Sequence, residues 1–135
     1  MNKYHGEISK FRSLLQHIQK DEKILAVIIY GSFLRRSTYR DIDICLISHQ
    51  DFPKITVDQL LYYKGAFSDI LDINFFEQMP LPLQYSVFKE GLLLFCRDDD
   101  LLFDLHVKTI KEYELFYPRF KMLLEAKMKY GNSSN

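Results

Sequence analysis

Residues Ile24–Ser48 read ILAVIIYGSFLRRSTYRDIDICLIS, and the fold turns on how this stretch divides. ILAVIIY is apolar without alternation, as in a strand buried on both faces. Gly31 follows, free to turn the backbone sharply, and Ser32 stands at what reads as the first turn of a short basic helix or loop. Backbone N–H groups at a helix start, with a Ser hydroxyl beside them, suit phosphate oxygens. A second strand then carries Asp41 and Asp43. Residues two apart point to one face, so these carboxylates stand side by side while Ile42 and Ile44 face the core. Their Cα atoms lie roughly 7 Å apart, within reach of one shared cation. Two bare carboxylates at that spacing repel, and a hard divalent ion such as Mg²⁺ removes the conflict while keeping phosphate or water as further ligands. Together a phosphate cradle and an Asp pair imply chemistry on a nucleotide.

Working outward, the N-terminal segment near Tyr4–Lys20 puts Ile8, Phe11, Leu15 and Ile18 on one helical face. His5 and His17 match no ligand spacing, and a surface or satisfied-core role fits both. HQDFPK, from His49 to Lys54, is a loop. Thr56 is placed to cap a helix from Val57 to about Lys64, stopped by Gly65, with Leu60, Leu61 and Phe67 packing inward. FSDILDINFF, Phe67–Phe76, reads as a third main strand. Asp72 sits inside it, and an Asp among apolar neighbours is costly unless paired or metal-bound. An ordinary polar face of Asp69 and Asn74, with Asp72 beside it, is the plainer alternative. Pro82 suits a helix start, that helix ends near Glu90-Gly91, and LLLFC is a short buried strand. From Asp99 apolar residues recur at helical spacing, and Pro118 is expected to kink or divide this long helix. Tyr113, Phe116, Tyr117 and Phe120 crowd that break, too many for one face. A partner or self-association surface and a cover for the sheet edge are both open.

With 135 residues and 47% hydrophobic content, the chain is expected to form one globular domain over residues 1–130 with a flexible 131–135 tail. Lys plus Arg and Asp plus Glu are 18 each, so no net charge draws it to nucleic acid or an anionic membrane. Arg35, Arg36 and Arg40 cluster next to the phosphate site, where triphosphate contact and plain solvation are both open. Cys45 and Cys96 lack any CxxC or His spacing and read as buried thiols of a reducing compartment. No signal peptide or bilayer-length apolar run is visible, so a cytoplasmic protein is expected.

Gly31-Ser32 followed by Asp41-Ile42-Asp43 resembles the GS…DxD signature of the DNA polymerase beta-like nucleotidyltransferase superfamily. Length, Asp72 within LDINFF, and PLPLQYSVFKEGLLLF with Glu90-Gly91 are similar to its minimal nucleotidyltransferase (MNT) branch. Arg36 stands where the branch commonly has a second Gly, Arg40 where it has a Ser, and the loop is about two residues shorter. The resemblance implies an α/β fold: a small mixed sheet, helices mainly on one side, and a long kinked C-terminal helix. It also implies Mg²⁺-dependent transfer of a nucleoside monophosphate, AMP from ATP being the natural donor. In that scheme Gly31, Ser32, Arg35 and Arg36 bind nucleotide, and Asp41, Asp43 and Asp72 are catalytic and metal-binding. The family further implies a tyrosine hydroxyl on a small helical HEPN-type partner as acceptor, and an antitoxin role. A binding module that neutralises its partner by contact, a nucleotide-binding regulatory subunit, and a homo-oligomer are the alternatives.

Overall fold

The computed structural model describes residues 5–31, 42–67 and 71–131, with side chains for 11–31, 42–67 and 71–129. Ser32, Arg35, Arg36, Arg40 and Asp41 lie outside the described residues. In chain order the elements are α1 (His5–Lys20), β1 (Ile24–Tyr30), β2 (Ile42–Ser48), α2 (Val57–Ala66), β3 (Leu71–Phe75), a short 3₁₀ turn (Phe76–Gln78), α3 (Leu81–Glu90), β4 (Leu92–Cys96) and α4 (Asp99–Gly131).

The four strands form one mixed sheet ordered β3-β2-β1-β4. β1 runs antiparallel to β2 and β4, whereas β2 and β3 are parallel. Every β1 residue is buried, as its unbroken apolar run requires of a central strand. Alternation along the strands sorts two cores. Val27, Ile29, Ile42, Ile44 and Leu46 meet Leu14 and Ile18 of α1 and Tyr63 of α2. Ala26, Ile28, Cys45 and Ile47 meet Val87 and Phe88 of α3 and Leu101, Leu102 and Leu105 of α4. The α/β class and the mixed sheet are as expected; among the described residues α1 and α2 cover one face and α3 and α4 the other, where most helices were expected on one.

Local signals act much as they read. Thr56 closes a capping box with Gln59, its Oγ1 accepting the Gln59 N–H and its own N–H donating to Gln59 Oε1. Asp98 Oδ1 accepts the N–H groups of Asp100 and Leu101 at the start of α4. His17 packs against the rings of Tyr62, Tyr63 and Phe67.

Several expectations need correction. α2 continues through Gly65 to Ala66, and Leu61 points to solvent at 59% exposure. Apolar composition alone does not assign a face on a helix of about three turns. Of the expected Phe67–Phe76 strand, Leu71–Phe75 forms β3, Phe67 caps the end of α2 and Phe76 opens the 3₁₀ turn, while residues 68–70 lie outside the described residues. Leu92 and Leu93 are half exposed, since β4 is an edge strand. Pro82 occupies the second helical position, Pro80 being the cap. Of the two outcomes open at Pro118, a kink or a division, the second does not occur, since α4 runs unbroken from Asp99 to Gly131 although Pro118 lacks an N–H donor.

Arg97 was not singled out in the sequence. Its guanidinium donates to the carbonyls of Ile18, Asp21 and Ile24, tying the end of β4 to the α1–β1 corner.

Candidate functional site

The site lies where β1 ends and β2 and β3 begin. Tyr30, the last residue of β1, pairs with Asp43 of β2, and Asp43 pairs in turn with Asp72 of β3. Gly31 leaves the strand at φ +82°, a left-handed conformation that L side chains adopt only with strain. A Cβ on Gly31 would fall onto the Asp43 carboxylate. Glycine is therefore required twice over, by the turn and by the close approach of that carboxylate.

Asp43 is half-buried and Asp72 exposed. Strand parity puts Asp43 on the face of Cys45 and Ile47, the one covered by α3 and α4. As neighbours in a parallel pair, Asp43 and Asp72 have Cα atoms about 5 Å apart, closer than any i, i+2 pair along one strand. Like charges placed opposite across strands are destabilising. Burial cost does not explain Asp72, since its side chain reaches solvent at the sheet edge. What singles it out is the register with Asp43.

Around this pair lies a polar group in which only Asn74 was expected near Asp72. Lys64 Nζ of α2 donates to Asn74 Oδ1 at 3.2 Å. Asn74 Nδ2 donates to Asp72 Oδ1 and to the Tyr30 hydroxyl, each at 3.4 Å. Burial pushes the Tyr30 phenol up to about 12, opposed by the Asn74 hydrogen bond and reinforced by the nearby Asp43. Asn74 shares its strand with Asp72, but only the placing of α2 and the register of β1, β2 and β3 bring Lys64 and Tyr30 to it, so no spacing in the sequence marks those two.

The donor set suits a hard cation. Asp43 and Asp72 offer carboxylate oxygens, and their neighbours are a phenol and an amide. Cys45 lies on the same face but is fully buried, and that burial pushes its thiol far up. Among the described residues no three His, Cys, Asp or Glu side chains gather as a metal group. Asp41, the third carboxylate of the expected set, is outside those residues. Both cysteines are free thiols, Cys45 buried and Cys96 half-buried.

The polymerase beta nucleotidyltransferase family model matches residues 12–100, and the chain belongs to that family. No curated protein matches significantly. Among solved structures the chain is similar to a chain of a toxin–antitoxin complex solved with AMP-PNP. That likeness has 22% identity and a TM-score of 0.64, and covers 89% of this chain and 97% of the other. It is also similar to a chain of the tri-AMPylated HEPN toxin in complex with MNT antitoxin from Shewanella oneidensis (20% identity, TM-score 0.62, 88% and 98% covered). The MntA–HepT toxin–antitoxin gives a third likeness, at 17% identity and TM-score 0.63, over 90% of this chain and 98% of that one. At these identities the likeness is one of fold.

Proposed function

We propose that this protein transfers AMP from ATP, with Mg²⁺, to a tyrosine hydroxyl of a small helical HEPN-type partner, and so acts as an antitoxin. The observation that carries the reading is the direct pairing of Asp43 with Asp72 beside the Gly31 turn. Two relatives lend it support. One was solved with AMP-PNP, and the other includes a tri-AMPylated HEPN toxin.

In this reading Ser32 and the N–H groups after Gly31 hold the β- and γ-phosphates, and Arg35 and Arg36 contact the triphosphate. Asp41, Asp43 and Asp72 hold the metal, which when bound neutralises charge on the α-phosphate and the departing pyrophosphate. The tyrosine oxygen attacks the α-phosphorus as the bond to the pyrophosphate oxygen breaks. Asp72 accepts the hydroxyl proton, since of the two described carboxylates, Asp43 and Asp72, it is the one open to solvent. A phenol, with an ordinary pKa of about 10, needs less activation than a sugar hydroxyl. The products are an adenylylated tyrosine and pyrophosphate.

A second reading, inhibition by contact alone, draws on the exposed apolar surface of α4. Leu115 is 84% exposed and Met122 63% exposed, which suits a docking face regardless of chemistry. One experiment separates the two. The protein, the partner, ATP and Mg²⁺ are mixed and the partner is weighed by intact-mass spectrometry. Adenylyl increments that vanish with Asp72→Asn are expected, and that exposed substitution should move stability by no more than about 0.5 kcal/mol. A partner that is bound and inhibited yet unchanged in mass would overturn transfer in favour of contact.

A further inference from the structure

The hydrogen bonds from Lys64 to Asn74, and from Asn74 to Asp72 and Tyr30, cross from one face of the sheet to the other. Lys64 belongs to α2, which packs on the face of Ile42 and Ile44, whereas Asn74 pairs with Cys45 and lies on the opposite face with Asp43. β3 is an edge strand, so the lysine stem reaches around it. We propose that Asn74 is a positioning residue for Asp72, and that Lys64 fixes which way its amide points. The proposal rests on the reading of Asp43 and Asp72 as cation ligands.

An amide side chain has two nearly equivalent orientations, and its neighbours decide between them. A lysine ammonium is only a donor, so the Asn74 carbonyl must face Lys64. The NH₂ group then points at the two acceptors, Asp72 Oδ1 and the Tyr30 oxygen. Tyr30 is 8% exposed, so packing fixes one of the acceptors that the half-buried amide meets. Asp72, by contrast, is exposed on an edge strand, and Asn74 donates a hydrogen bond to its Oδ1. With Oδ1 engaged by the amide, Oδ2 is the oxygen presented to a cation shared with Asp43. Partners that orient a metal ligand from outside are typically worth 10- to 100-fold in metal affinity.

Calorimetry with Mn²⁺ as the probe, on wild type, Lys64→Met, Asn74→Leu and the double variant, tests the role. Met keeps the stem and Leu the volume, and melting temperatures are taken alongside to confirm folding. Asn74→Leu should weaken Mn²⁺ binding about tenfold and Lys64→Met by less. The double variant should be no weaker than Asn74→Leu, because Lys64 acts through Asn74. In the metal-free protein, Lys64→Met should also shift the side-chain amide NMR signals of Asn74, which are identified by their loss in Asn74→Leu. Mn²⁺ binding at wild-type strength in folded Asn74→Leu, or losses that multiply in the double variant, would overturn the proposal while leaving the metal site intact. Unmoved amide signals in Lys64→Met would overturn the part given to lysine. A wild type that takes up no Mn²⁺ would instead defeat the metal reading itself, and this role with it.

Discussion

At the scale of single residues, two positions show how little freedom the site allows. Gly31 combines a positive φ with the Asp43 carboxylate pressed where a Cβ would be. Gly31→Ala should therefore cost about 1–2 kcal/mol in urea unfolding, and should displace Asp43 and weaken Mn²⁺ binding as well. A variant that keeps both stability and metal affinity would show that the turn tolerates a side chain. The second position is Tyr63, whose hydroxyl donates to Asp21 Oδ2 from within the α1–α2 core. Burial first, and then the Asp21 hydrogen bond, push its phenol well above the ordinary tyrosine range. The folded state thus holds this proton more tightly than the unfolded chain. The resulting stability is fully present below pH 10 and is lost as pH rises beyond it. Wild type should unfold at lower urea at pH 11 than at pH 9. Tyr63→Phe should narrow that gap, and an equal gap would remove Tyr63 as its cause.

At the scale of elements, the ties between segments matter more than the segments alone. Arg97 makes three well-formed bonds to backbone carbonyls at the ends of α1 and β1. Its planar fork meets several acceptors at once, which a lysine ammonium on a shorter reach does not reproduce. Arg97→Ala should lower stability by about 2 kcal/mol, because buried carbonyls lose charged donors. Arg97→Lys should recover only part of this. Amide exchange would report the loss as faster opening near residues 18–25, and unchanged exchange there would refute the clamp. No sequence pattern marks Arg97, which follows an unremarkable strand; its partners are more than 70 residues away along the chain. Thr56 is the opposite case. Its capping partner Gln59 is three residues on, so the α2 start is legible from adjacent residues.

At the scale of the molecule, α4 stands out by length. Its 33 residues span about 50 Å, roughly twice the length of a seven-residue strand. Leu101, Leu102 and Leu105 pack on the sheet, and Tyr113 stacks on Tyr85 of α3 with ring centroids 3.9 Å apart. Residues 121–129 are all exposed, apolar ones included. Under the proposed function this projecting half is where a helical partner binds. Leu115→Glu with Met122→Glu keeps good helix formers and should leave stability within about 0.5 kcal/mol. Co-purification of the HEPN-type partner should be lost, and retention would move the docking face elsewhere. No helix among the described residues is long and apolar enough to cross a membrane.

What the sequence by itself determined is what neighbouring residues decide. An unbroken apolar run makes β1 a central strand, Gly31 makes the turn after it, and parity sets Asp43 against Ile42 and Ile44. Those features rest on strand period, glycine conformation and capping, each read within a few residues. The tertiary structure alone decided which strands lie side by side. Adjacency in the order β3-β2-β1-β4 exposes Leu92 and Leu93, and it pairs Asp43 with Asp72 across 29 residues of chain. It also brings Lys64, Asn74 and Tyr30 onto that pair. Register is fixed by how whole faces bury against one another, and a one-residue slip would send Asp72 to the opposite face. Nothing within reach of Asp72 along the chain carries that information.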